Sequence, residues 1–338
     1  MDKKTAVIIF LLIPFVCFGQ TTQTHTVGTT SRTFSTIQAC EDSKNNDQVA
    51  DDEIDICECY ADSDFDEKVT VSGGTNDATR YFEVSVASGE RHDGTASGGG
   101  VVLDRGAAAP KGFDINDTFF RLNWMRLTDG GTSGNTGMID LVGDVTIDKC
   151  IIHDWTQSNL DGIQANGTGT VKNTIIYDVG RLGLVKTGSG TLTVINCTAN
   201  TNGRSGFYVE AGTLDITNCA AFGNTGVSDF EFVAGSWGGN GFNISSDATG
   251  DDPNATGSLI NKTIGDNFVT TTEGSEDFHL KSGADAEDVG TNTGAPSDDI
   301  DGDSRPQNST TDMGADEIVV AAAATGSTPK KASPRWWN

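Results

Sequence analysis

One segment recurs through the middle of the chain, and its spacing dictates the architecture. The full copies read Ile147-Asp148-Lys149-Cys150-Ile151-Ile152, Val171-Lys172-Asn173-Thr174-Ile175-Ile176, Val194-Ile195-Asn196-Cys197-Thr198-Ala199 and Ile216-Thr217-Asn218-Cys219-Ala220-Ala221. A weaker copy, Leu122-Asn123-Trp124-Met125-Arg126-Leu127, precedes them, and the first residues lie 25, 24, 23 and 22 apart. A second element keeps the same phase: Gly162-Ile163-Gln164-Ala165, Gly183-Leu184-Val185-Lys186, Gly206-Phe207-Tyr208-Val209 and Asp229-Phe230-Glu231-Phe232. Polar turns such as Asn166-Gly167-Thr168-Gly169 and Gly188-Ser189-Gly190 separate the two. Short strands at this period mean a solenoid. A single repeat is too small to bury its own apolar face. Coils stacked about 4.8 Å apart share one narrow core instead.

Stacking turns equivalent positions into ladders. Cys150, Thr174, Cys197 and Cys219 form one ladder of compact side chains, which reads as core filling rather than as a metal site. Asn173, Asn196 and Asn218 form a second, expected as an asparagine stack at a turn, and Lys149 and Trp124 break it. Upstream, Val69–Val71, Phe82–Val86, Val101–Leu103 and Phe113–Ile115 alternate as strands do. Downstream, Gly241–Ile244 and Asp277–Leu280 read as late coils, with the polar stretch 245–276 looping out.

Composition fits a thin core. Glycine contributes 42 of 338 residues, apolar residues 36%, and the formal charge is −26. That charge argues against a broad basic face for nucleic acid. Glycine without a period of three excludes collagen. The one long apolar run, Ala6–Phe18, follows Lys3 and Lys4 and is shorter than the roughly 20 residues a spanning helix needs. With Cys17 and Gly19 as the small residues before a cut, residues 1–19 read as a signal peptide. A lipoprotein reading of Cys17 is disfavoured by Val16. Export permits disulfides, and Cys40 with Cys57 or Cys59 is the expected bridge.

Solenoid ends expose strand edges and need caps. Ser35-Thr36-Ile37-Gln38 fits a capping box opening a short helix over 36–43. The start Phe34-Ser35-Thr36-Ile37-Gln38-Ala39 resembles the N-terminal cap of secreted bacterial parallel β-helix proteins of the pectin-lyase-like superfamily. The series Asp277-Phe278-His279-Leu280, Asp299-Ile300-Asp301-Gly302-Asp303-Ser304-Arg305-Pro306 and Asp312-Met313-Gly314-Ala315-Asp316-Glu317 is similar to their closing segment. The resemblance implies an all-β fold, a single-stranded right-handed parallel β-helix with a short N-terminal capping helix. The expected organisation is a signal peptide over 1–19 and a linker over 20–32. The β-helix with its caps then occupies 33–320, and 321–338 form a basic tail ending Arg335-Trp336-Trp337-Asn338.

The superfamily includes lyases, hydrolases, adhesins and inert surface proteins, so function must be read from the site. A polysaccharide lyase of this fold needs a cation to neutralise a uronate carboxylate and a base to remove the adjacent proton. Arg181, Arg204 and Lys186 are the candidate catalytic residues, with His153, Asp154, Asp161 and Tyr208 as substrate contacts. Arg181 and Arg204 are 23 residues apart, one coil, and are expected to be neighbours on the surface. Asp299, Asp301 and Asp303 resemble the start of a calcium loop. Gly302 falls at the fourth position and no Glu follows at the twelfth, so calcium competes with a turn in which Arg305 pairs with one carboxylate. Asp312, Asp316 and Glu317 are further partners for Arg305. Serine-triad spacing, phosphate loops and dinucleotide fingerprints are absent.

The expected function is that of an exported extracellular or surface β-helix protein, non-catalytic, and carbohydrate-binding or structural. A polysaccharide lyase acting on acidic glycans is the first alternative. A repeating subunit of an extracellular filament or phage appendage, assembling through the C-terminal tail, is the second. The expected partner is a polysaccharide or cell-surface glycan, not nucleic acid.

Overall fold

The structure, a computed structural model, describes residues 20–95, 97–105, 112–128 and 137–320. The signal peptide and the basic tail expected from the sequence lie outside these residues. Three parallel sheets form the solenoid. Sheet A holds β1 (Thr21–Val27), β2 (Glu53–Cys59), β4 (Phe82–Val86), β7 (Phe120–Asn123), β10 (Val145–Asp148), β13 (Gly169–Lys172), β16 (Thr191–Ile195), β19 (Thr213–Thr217) and β22 (Ser236–Gly241). Sheet B holds β5 (Val102–Asp104), β8 (Arg126–Thr128), β11 (Ile151–His153), β14 (Ile175–Tyr177), β17 (Thr198–Asn200), β20 (Ala220–Phe222) and β23 (Ile244–Ser245). Sheet C holds β3 (Val69–Val71), β6 (Phe113–Ile115), β9 (Gly137–Leu141), β12 (Asp161–Ala165), β15 (Leu182–Lys186), β18 (Ser205–Val209) and β21 (Phe230–Phe232). From β4 to β21 each coil runs A, B, C. The recurring segment read from the sequence as one element is therefore two strands, with the corner between sheets A and B at its centre.

The core is a set of registered ladders. Sheet A aligns Val84, Leu122, Ile147, Val171, Val194 and Ile216, all fully buried. Sheet C aligns Val69, Phe113, Ile139, Ile163, Leu184, Phe207 and Phe230. At the A–B corner, Trp124, Lys149, Asn173, Asn196, Asn218 and Phe242 all have a left-handed backbone, with φ between 46° and 65°. Asn adopts this region at less cost than Trp, Lys or Phe, which explains the asparagine ladder. Asn218 Nδ2 donates to Asn196 Oδ1 at 3.2 Å, and Asn173 Nδ2 donates to Asp148 Oδ1 at 3.0 Å. One residue later, Cys150, Thr174, Cys197 and Cys219 fill the inside of the corner, fully buried, with the three cysteines unbridged.

At the N-terminal end, α1 (Ile37–Lys44) lies against β2 and β3. Its cap is Thr36, whose Oγ1 accepts the Ala39 N–H at 3.1 Å, rather than Ser35 of the expected capping box. Gln38 is thereby freed to pair with the open edge of β3. Its Oε1 accepts the Thr70 N–H at 2.6 Å and its Nε2 donates to the Thr70 carbonyl at 3.2 Å. The Cys40–Cys57 disulfide ties α1 to β2. Residues 20–32, expected as a linker, instead contain β1, in continuous register with β2. A four-residue α2 (Gln48–Asp51) leads into β2.

The C-terminal segment departs from the expected late coil. Asp277–Leu280 form β25, which pairs antiparallel with β24 (Phe268–Thr270), after the short α3 (Ile264–Asn267). This segment folds back along the outer face of sheet B. Ile151, Ile175, Tyr177, Ala220 and Phe222 of the sheet pack there against Phe268, Phe278, Leu280, Ile300, Met313 and Ala315. The corner asparagines help to hold it: Asn196 Nδ2 donates to the carbonyls of Asp312 at 2.9 Å and Gly314 at 3.2 Å. Among the described residues, no helix is long and apolar enough to cross a membrane.

Two outcomes follow for stability. Asn196→Ala should cost about 3 kcal/mol in denaturant unfolding, from the left-handed backbone and the lost buried hydrogen bonds. Asn196→Gly, which keeps the backbone preference, should cost roughly 1 kcal/mol less. Equal losses would remove the left-handed corner as a cause. The second concerns His92, which packs on Trp124 with ring centroids 5.5 Å apart. Its Nδ1 accepts the Gly94 N–H at 3.2 Å, so Nε2 carries the proton and donates to the Lys149 carbonyl at 2.9 Å. Burial lowers His92 to about 4 from an ordinary 6.5. The unfolded chain therefore takes up the proton first as pH falls. Stability present above about pH 6.5 should decline towards pH 4 by on the order of 3 kcal/mol, and His92→Gln should flatten that limb. An unchanged acid limb in the variant would contradict this.

Candidate functional site

Outward positions on sheet C form a ladder of their own: Asp114, Asp140, Gln164, Val185, Tyr208 and Glu231. Its acid and amide end opens into a groove of about 450 Å³, lined by Asp114, Asn116, Asp140, Gln164, Asn166 and Thr187 among others. Towards its other end Leu182, Val185 and Tyr208 form a small buried apolar cluster. Strand pleating places these residues outside, since alternate side chains of a strand face opposite ways. The same alternation exposes a signal that residue-by-residue reading passes over. The third residue of each second element, Gln164, Val185, Tyr208 and Glu231, lies on the outer ladder, and the fourth, in Ala165, Lys186 and Val209, faces in.

Arg181 and Arg204 are stacked neighbours as the one-coil spacing predicts, with the Arg204 N–H donating to the Arg181 carbonyl at 2.7 Å. Neither guanidinium is free. Arg181 forks onto the fully buried Asp161, Nε to Oδ1 at 2.7 Å and Nη2 to Oδ2 at 2.5 Å, and the Leu182 N–H adds to Oδ1 at 3.2 Å. Arg204 forks onto Glu231 at 3.0 and 2.6 Å, and Ser205 Oγ donates to the same carboxylate at 2.6 Å. Its guanidinium lies over the Tyr208 ring, 4.8 Å from the centroid. The bonded carboxylates hold both arginines above their ordinary pKa. Asp161 is raised by burial against the opposing pull of Arg181. Bidentate pairs of this kind fix orientation as well as charge.

Lys186 is not on the surface. It occupies an inward ladder otherwise made of Val71, Ile115, Leu141, Ala165 and Val209, and it is fully buried. Its Nζ donates to the carbonyls of Gly188 at 2.5 Å and Ser189 at 3.1 Å, and burial lowers its pKa. The expectation that it projects into a groove beside the arginines fails, because the fourth position of the element points inward.

His153 and Asp154 lie at the corner between sheets B and C. His153 Nδ1 bonds Asp154 Oδ2 at 2.9 Å, and its ring stacks on Tyr177 at 5.3 Å. Asp154 opens a cleft of about 470 Å³ with Asp178, Thr201, Glu273 and Glu276. That cleft runs past Gly180 and Gly203, the residues just before Arg181 and Arg204. Asp178 is raised by burial, with Glu276, Asp154 and Glu273 adding to it. The sequence-predicted contacts thus fall into two groups: Asp161 and Tyr208 with the arginines on sheet C, His153 and Asp154 at the corner. A further polar groove of about 580 Å³ crosses sheet A, with Glu83, Arg121, Asp148 and Lys172 in its wall.

Asp299, Asp301 and Asp303 share one tight turn. Asp299 Oδ1 accepts the N–H groups of Asp301, Gly302 and Asp303 at 3.3, 2.9 and 2.7 Å, and its Oδ2 accepts that of Glu317 at 3.0 Å. It organises the turn. Burial and the neighbouring Asp301 hold it up at about 8. Arg305 pairs with none of the three. Its Nη1 reaches Glu317 Oε2 at 3.0 Å in a fully buried pair.

Residues 127–279 match the family described as the right handed beta helix region. No curated protein sequence matches the chain. The crystal structure of pectate lyase Pel9A is similar to it at 14% identity and a TM-score of 0.46, covering 89% of this chain and 97% of that one. The three stacked sheets and the family match over their central coils agree, and the chain is a parallel β-helix protein.

Proposed function

We propose that the chain is an exported, non-catalytic β-helix protein that binds a neutral, hydroxyl-rich glycan along the outer face of sheet C. One observation carries this reading: the three cations that lyase chemistry would recruit are all committed elsewhere. Arg181 and Arg204 are forked onto carboxylates, and Lys186 is buried on backbone carbonyls. A uronate carboxylate entering here meets the carboxylates of Asp114 and Asp140, and Lys68 beside them is ion-paired to Asp114 at 2.8 Å, so like-charge repulsion opposes it. A neutral sugar finds what suits it: amides at Gln164, Asn116 and Asn166, carboxylates at Asp114 and Asp140, and an exposed apolar flank at Val142. Export is supported by the basic start with its apolar run and by the Cys40–Cys57 bridge.

Two measurements test it. Affinity electrophoresis against immobilised neutral glycans should retard the protein. The double variant Gln164→Ala, Asn166→Ala should weaken that binding about tenfold, as loss of amide hydrogen bonds does, while Arg121→Ala on sheet A leaves it unchanged. Incubation with uronic-acid polymers should yield no ultraviolet-absorbing unsaturated product. Robust product that disappears in Arg204→Ala would establish the lyase alternative instead.

A further inference from the structure

The C-terminal segment carries a cluster that neither the fold nor the sheet C face uses. His279 of β25 faces Asp301 and Asp316, and one ligand atom from each lies within 4.8 Å of the others. His279 Nε2 is 3.5 Å from Asp301 Oδ2 and 4.0 Å from Asp316 Oδ1. We propose that His279 Nε2 and one carboxylate oxygen each from Asp301 and Asp316 bind a divalent transition-metal ion, Zn²⁺ or Mn²⁺, that staples the C-terminal segment together. Of the three carboxylates 299, 301 and 303, only Asp301 belongs to the set.

Four observations support it. His279 Nδ1 bonds Asp277 Oδ1 at 2.6 Å, the outer-shell arrangement that leaves Nε2 with a free lone pair. Asp316, whose side chain is only 6% exposed, spends Oδ2 on the Leu280 N–H at 2.7 Å and turns Oδ1 towards the ring. Asp301 turns Oδ2 to the ring, and its Oδ1 is buried and meets no N–H donor, with the Asp299 carboxyl alongside the same side chain. Finally, three carboxylates, those of Asp277, Asp301 and Asp316, surround one imidazole, so even a charged ring leaves negative charge in excess. One nitrogen with two carboxylate oxygens suits Zn²⁺ or Mn²⁺ better than Ca²⁺, which takes six to eight oxygens. Ligand bonds of about 2.0–2.2 Å require the three donors to draw in slightly. The donors come from β25, from the 298–304 turn and from the segment 312–317. A bound ion therefore joins the three parts of the layer that covers sheet B.

The test uses the intact protein, stripped with a chelator. Zn²⁺ and Mn²⁺ should each bind at one equivalent. Co²⁺, as the optical probe, should give d–d absorption at the same stoichiometry. Metal at about 100-fold excess over Kd should raise Tm by roughly 5 °C, reversed by chelator. His279→Gln and Asp316→Asn should abolish both the Co²⁺ spectrum and the Tm response. Asp303→Asn, on the same turn but outside the set, should keep both. Should the buried Asp316→Asn variant fail to fold by circular dichroism, His279→Gln and Asp301→Asn, whose side chains are partly exposed, give the same readout. A stripped wild type that binds no stoichiometric metal, or a folded His279→Gln or Asp301→Asn variant that binds it undiminished, would overturn the proposal. The cluster would then be an ion-pair network around a protonated ring.

Discussion

Between Asp148 and Cys150 the chain turns at Lys149 through a left-handed residue, and the same turn recurs at Trp124, Asn173, Asn196, Asn218 and Phe242. A single residue in this conformation bends the chain from sheet A into sheet B without a loop. It also fixes which residues face inward on both sides of the bend. Because each side chain of a strand faces opposite to the next, a slip of one residue at this corner would evert a whole ladder. The registered core of Val84 to Ile216 therefore depends on the corner, as does the position of the cysteine ladder just beyond it. Asparagine suits the corner twice. It tolerates the backbone, and its amide bonds the next coil or the C-terminal segment.

The corner also decides where the chain can be decorated. Sheet B, reached through it, is covered by residues 264–318 and becomes the floor of a second core. Among the described residues, no such layer covers the groove end of sheet C, and its outer ladder passes from carboxylates through an amide to a buried apolar cluster. The ion pairs Arg181–Asp161 and Arg204–Glu231 span neighbouring coils at the start of this face. They cross-link coils where the chain arrives from the sheet B side. Both guanidinium groups thereby serve the solenoid as cross-links between coils.

Much of this was legible in the sequence. The spacing of 25 to 22 residues gave the solenoid, and the Asn and Cys ladders fell at the corner and its filling, as side-chain size and backbone preference require. Pairing was not legible. Asp161 and Arg181 are 20 residues apart, and Arg204 and Glu231 are 27 apart, so neither pair follows from local spacing. The charge of Lys186 suggests the surface, whereas its place after Val185 in the strand puts it on the inward side. The C-terminal motif was recognised as a closing segment, but its β hairpin and its docking on sheet B depend on contacts far apart in the chain. Asn196 and Asp312, for example, are 116 residues apart.

The account stands on the two arginines being bound into the scaffold rather than poised for an acidic substrate. Side-chain Nε–H resonances of Arg181 and Arg204 in a nitrogen-labelled sample report on this directly. Both should exchange slowly with water and stay fixed as galacturonate oligosaccharides are added. Fast exchange of either, or a saturable shift with the oligosaccharide, would show a free cation on sheet C and contradict the account.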